Sequence, residues 1–133
     1  MRKVAVLVYD QFCNFEFSVA LEMLAMAGKP ITVFAKSLEP VKSEEGLSVV
    51  ADKTIDELQI EEYDALLLTG AADIREAIED EHVLEFIKAF DRDDAIIGAI
   101  SIAARQTGNL AEDELEFLEI VGNVLGIALY NIY

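Results

Sequence analysis

Three short stretches hold residue types that could do chemistry: Asp10 to Glu16 (DQFCNFE), Gly70-Ala71-Ala72-Asp73, and Ser101 with Ile102. Together they offer an alcohol, a thiol at Cys13, a carboxyl group at Glu16, and small residues whose backbone amides can come close to a ligand. An alcohol becomes a nucleophile only beside a base, and Glu16 alone is a poor base at neutral pH. A carboxylate in the first turn of a helix is also favoured by the helix dipole whatever its function. Cys13 reads either as a small structural residue or as an oxidisable thiol near Glu16. His82, the one histidine, stands at the start of a helical stretch and reads as a surface or capping residue.

The elements that would position these residues follow from hydrophobic periodicity. Lys3 to Tyr9 (KVAVLVY) is a nearly unbroken apolar run, which predicts a strand covered on both faces and therefore a parallel sheet. Asn14 can N-cap a helix from Phe15 to Ala27, stopped by Gly28 and Pro30. Ile31 to Ala35 (ITVFA) is the next strand and completes a βαβ unit, half of a doubly wound domain. Val41 to Val50 breaks that rhythm as a β-hairpin excursion turning at Glu44-Glu45-Gly46. Thr54 to Glu57 matches a capping box for a short helix. Tyr63 to Thr69 (YDALLLT) and Ala95 to Ile100 (AIIGAI) are the third and fourth core strands, separated by helical stretches at Asp73 to Glu79 and Glu81 to Phe90. Ligands of open parallel sheets bind beyond the carboxyl ends of the strands. The three chemical stretches follow Tyr9, Thr69 and Ile100, so the predicted fold brings them to one end of the sheet.

After Ala104 comes a polar loop, Arg105 to Asn109, and then a long helix is predicted from about Leu110 to the C-terminus. Its apolar residues spread almost all round, so it needs cover on more than one side. Gly122 and Gly126 suit close packing or self-association, and Asn123, Asn131 and the acidic turns before them make the stretch too short and polar to span a bilayer. With 133 residues and a hydrophobic fraction of 53%, the chain is expected to be one globular domain despite a net charge of −16. The excess of 26 acidic over 10 basic residues disfavours nucleic acid and anionic membranes as partners. The acidic clusters Glu61-Glu62, Glu79 to Glu81 and Glu112 to Glu114 lack calcium-loop spacing, so no metal or cofactor is expected. One cysteine and no visible signal peptide make the cytoplasm the expected compartment.

In order, VLVYDQFCNFE, ITVFAK with its hairpin, DALLLTG and IIGAIS resemble the ThiJ/PfpI branch of the class I glutamine amidotransferase-like superfamily over residues 1–102. The resemblance implies a flavodoxin-like three-layer α/β sandwich with a mainly parallel sheet, extended here by the hairpin and the long C-terminal helix. In that family a cysteine on a strand-to-helix turn is the nucleophile and a glutamate of the first helix hydrogen-bonds it. By position these are Ser101 and Glu16, so serine replaces the thiol. Gly70 and Ala71 match a glycine pair whose amides form an oxyanion hole, and the alanine requires a negative φ. Many members supply a histidine from a segment beyond the nucleophile helix, for which this sequence has no counterpart.

From about residue 95 the sequence also resembles the end of a GAF sensory domain, which suggests a hybrid, engineered or strongly diverged chain. Residues 1–102 and 103–133 are accordingly read as two parts of a single domain. The expected function is a folded domain without intact catalysis. The alternatives are a weak hydrolase or glyoxalase/deglycase-like enzyme using Ser101 with Glu16, and a binding or oligomerisation module. A homodimer through the C-terminal helix or an exposed sheet face is the expected partner state.

Overall fold

The computed structural model describes residues 2–92 and 94–100. The chain runs β1 (Lys3–Leu7), α1 (Asn14–Met26), β2 (Ile31–Ala35), β3 (Val41–Lys42), β4 (Ser48–Val49), β5 (Lys53–Thr54), β6 (Tyr63–Thr69), α2 (Arg75–Glu79), α3 (Glu81–Lys88) and β7 (Ile96–Ile100). Strands β5, β2, β1, β6 and β7 form one parallel sheet in that order. Val4 to Val8 are each no more than 4% exposed, which is why β1 could be written without a single polar residue after Lys3. β3 and β4 pair separately as the expected antiparallel hairpin, and Gly46 turns it at φ 92°, a conformation that costs glycine little.

Right-handed crossovers from β1 leftward to β2 and from β6 rightward to β7 require their helices on opposite faces, and the packing agrees. Phe17 and Ala20 of α1 join Val4, Val6, Val8 and Leu67 in one core layer. Ala77, Ile78, Val83, Phe86 and Ile87 of α2 and α3 join Ala5, Leu7, Leu66 and Leu68 in the other. The second layer is rich in rings: Phe34 meets Tyr63 edge-on at 5.4 Å between centroids and, in a tilted arrangement, Phe86 at 5.1 Å. Its helix α3 is capped by Asp80, whose Oδ1 accepts the amides of His82 at 2.9 Å and Val83 at 3.3 Å.

Two expectations need correction. The N-cap of α1 is Cys13 in extended conformation, and Asn14 is the first helical residue. The Asn14 side chain instead accepts the Ser18 hydroxyl at 2.9 Å, and the Asn14 amide donates to Glu45 Oε2 at 3.3 Å. Glu45 on the hairpin turn therefore does the work assigned to Asn14. The sheet also has a fifth strand, because Lys53–Thr54 pairs with Phe34 and Ala35 at the edge. The capping box at Thr54 is present, with its amide donating to Glu57 Oε2 at 2.8 Å, but the helix it starts is a single 3-10 turn. Ser101, the loop at Arg105, the helix from Leu110 with Gly122 and Gly126, and most of the GAF-like stretch lie outside the described residues.

Candidate functional site

The site is built on the segment between β1 and α1, which turns at Asp10 and Gln11 and is held on both sides. On one side the Gln11 amide donates to Lys42 O at 2.7 Å and the Glu44 amide to Phe12 O at 2.9 Å. On the other the Cys13 amide donates to Gly70 O at 2.8 Å and the Ala72 amide to Gln11 O at 3.0 Å. Phe12 anchors the middle: it is fully buried and meets Phe17 edge-on at 5.2 Å. To make this path Gln11 adopts φ 60°, the left-handed region that side chains normally avoid.

Clamping both ends of that segment fixes the first turn of α1 against the end of β6. Glu16 is 2% exposed, and its Oε1 accepts the Gly70 amide at 2.8 Å. The amide that the family resemblance assigns to an oxyanion hole thus donates to the carboxyl group of Glu16. Ala71 is buried and bridges antiparallel to Phe12. Among the described residues Gln11 is the non-glycine with a positive φ, so Ala71 meets the condition set for its methyl group. β7 runs beside β6 to the pair Thr69–Ile100; Ser101, the next residue in the sequence, lies outside the described residues.

Polar groups around Glu16 are held neutral. The Tyr9 hydroxyl donates to Thr69 O. Burial pushes the Tyr9 phenol well above its ordinary range, opposed by the Thr69 bond and reinforced by the charge of Glu16. Burial likewise pushes the Cys13 thiol up; the Glu16 amide opposes this, and the carboxylates of Glu16 and Glu44 add to it. The thiolate, which is the reactive form, is therefore scarcer than for an ordinary cysteine. Thr69 Oγ1 is buried with no hydrogen-bond partner among the described residues.

The approach of the hairpin turn to Cys13 was not foreseen. The Cys13 thiol and the Glu44 and Glu45 carboxylates lie within 4.8 Å of one another, but Glu45 is already engaged with the α1 amide. Its carboxyl group is held below the usual range: burial acts upward and is outweighed by bonds from Ser43 and from the amides of Glu45, Asn14 and Phe15. The sequence signal was present in Gly46, which fixes the turn, but not the surface on which the turn lands. His82 is exposed on the first turn of α3, as its surface reading required. A separate cleft of about 130 Å³ opens on the α2 side, lined by Tyr9, Asp10, Lys36, Asp73, Glu76 and Asp80 among others. Neither Glu16 nor Gly70 lines it.

A doubly wound parallel sheet with a buried first-helix carboxyl group at its carboxyl end defines a flavodoxin-like α/β domain. The DJ-1/PfpI family pattern matches residues 2–114, and the chain belongs to that family. The match continues past residue 102, where the sequence reading had placed its end. The chain is 41% identical over 71 residues to protein/nucleic acid deglycase 2 of Escherichia coli, covering 52% of this chain and 41% of that protein. It is 30% identical over 101 residues to general stress protein 18 of Bacillus subtilis, covering 74% and 59%. A DJ-1 superfamily protein of Salmonella typhimurium, solved as a cysteine-to-alanine mutant, superposes with TM-score 0.68 at 30% identity, covering 78% of this chain and 57% of that one. One from Agrobacterium tumefaciens gives 0.66 at 25%, covering 81% and 57%. The chain thus spans about half the length of the curated relatives it matches. No helix among the described residues is long and apolar enough to cross a membrane.

Proposed function

We propose that this chain is a DJ-1/PfpI-family domain that keeps the scaffold of the family site without its thiol chemistry. The observation that carries the reading is the bond from the Gly70 amide to Glu16 Oε1 at 2.8 Å, taken with the serine that the sequence has at position 101 where the family resemblance expects cysteine. The group expected to prime a nucleophile and the amide expected to receive developing charge are bonded to each other. Serine offers no thiolate, and its alcohol needs a base that is free to accept its proton.

The second reading is a weak hydrolase or deglycase-like enzyme using Ser101 with Glu16. The buried carboxyl group at the carboxyl end of the sheet favours it, as does the deglycase among the relatives. Deglycation of methylglyoxal-modified cysteine and hydrolysis of aryl esters separate the two. Wild type and Ser101→Ala are expected to match at background rate, whereas Ser101→Cys is expected to rise above both. A wild-type rate clearly above that of Ser101→Ala would establish the enzymatic reading instead.

A further inference from the structure

The cleft of about 130 Å³ on the α2 side opens where the strand order reverses. From β1 the chain crosses to β2 on one side, whereas β6 returns to the other side of β1. Ligands of open parallel sheets bind at such a point, beyond the carboxyl ends of the strands. Three of those ends build the cleft: Tyr9 and Asp10 follow β1, Lys36 and Ser37 follow β2, and Asp73 and Glu76 come after β6. Its apolar lining is firm, since Val8, Ala35, Ala77 and Val83 are buried and Val41 is half-buried. An apolar wall with a few converging polar groups is the ordinary make-up of a small-molecule site.

The charges around that wall are not balanced. Asp80 Oδ2 is paired with Lys36, and Asp73 is paired with Arg75 at 2.6 Å. Asp10 and Glu76 have no ion-pair partner among the described residues. The bond to Asp80 and its charge, and then the charge of Glu76, hold the Lys36 amine above its ordinary range. Glu76 is therefore within electrostatic reach of the same ammonium group. The lysine reaches in from solvent: its side chain is 60% exposed, against 16% for Asp80. The sheltered member of the pair is thus the carboxylate, and its cation comes from a side chain free to leave. We propose that this cleft binds a small primary alkylammonium ion, with its short hydrocarbon part against Val8, Ala35, Val41 and Val83 and its charge held by Glu76 and Asp10. Lys36 is the competing cation built into the chain. Neither Glu16 nor Gly70 lines the cleft, so the site is independent of the proposed loss of catalysis.

Titrating n-butylammonium chloride into the isotope-labelled full chain tests the proposal, with n-butanol, sodium butyrate and potassium chloride as controls. Amide shifts at Asp10, Lys36, Ser37 and Glu76 should saturate with the amine, while those of Cys13 and Gly70 stay in place. Asp10→Asn combined with Glu76→Gln should weaken binding about tenfold or more, as expected for lost bonds to charged groups. Both residues are exposed, and an otherwise unchanged spectrum shows that the fold is kept. Lys36→Met keeps the stem of the side chain, removes the competing ammonium and should tighten binding severalfold. Shifts that do not saturate, that potassium chloride reproduces, or that butanol or butyrate matches in affinity would overturn the proposal. So would an unchanged affinity in the Asp10 and Glu76 double variant, or binding no tighter in Lys36→Met.

Discussion

Replacing Glu16 by leucine tests whether the buried carboxyl group holds the site together. Glu16 is 2% exposed and receives the Gly70 amide at 2.8 Å, and leucine fills similar space without an acceptor. A hydrogen bond to a charged group contributes about 1.5–3 kcal/mol, and a buried donor left unpaired costs a similar amount. Leucine also relieves the cost of keeping a carboxyl group out of water, which places the expected loss near the lower end, about 1.5 kcal/mol. With an unfolding slope of about 1–3 kcal/mol per molar urea, the midpoint should fall by about 1 M. Glu16→Gln keeps an oxygen at the same place and should lose about 1 kcal/mol or less. Hydrogen exchange at the Gly70 amide should accelerate strongly in the leucine variant and little in the glutamine one. A leucine variant with an unchanged midpoint and a still-protected Gly70 amide would refute the reasoning.

Three more expectations follow from particular residues. Asp80→Ala removes the cap of α3 and should cost about 1 kcal/mol at neutral pH. The Asp80 carboxyl group is held below the ordinary aspartate value of 3.8, first by Lys36, against burial, and then by the Val83 and His82 amides. Its stabilisation is therefore present above that value and lost as pH falls through the lower folded value, so wild type and variant should converge in strong acid; a constant gap would contradict this. Gln11→Gly should raise the melting temperature, because a left-handed residue costs about 1–2 kcal/mol and glycine's added chain entropy about 0.5–1 kcal/mol; a lower melting temperature would show that φ 60° is not strained here. Cys13 should react with a disulfide reagent more slowly than a free cysteine, and Glu44→Gln should speed it by removing one charge that raises its pKa; equal rates would count against the electrostatic account.

The strands were legible because each is a buried apolar run: ITVFA and YDALLLT appear as β2 and β6 without a residue's error. The hairpin was legible because Gly46 permits a turn few residues can make. β5 was not, since two residues such as Lys53–Thr54 become a strand only through the partner they find. The cap of α1 was misread for a related reason. Asn14 is a good local capping residue, but the tertiary bond from Cys13 to Gly70 O extends the backbone and Glu45 takes the amide instead. The site showed the same divide. Glu16 and Gly70 were each placed correctly at the end of the sheet, yet nothing local in either stretch encodes that they bond to each other across 54 positions.

The Glu45 bond to α1 also bears on how the domain is assembled. The helix carrying Glu16 begins 31 positions before the residue whose side chain accepts its first amide. As the chain leaves the ribosome, α1 emerges with an open N-terminus and can be closed only once the hairpin has followed. Completion of this corner is thus a late event in biosynthesis, tied to long-range loop closure rather than to helix propensity. A nascent chain stalled before Glu45 would present an α1 with a frayed first turn, in which Glu16 has not yet found its place.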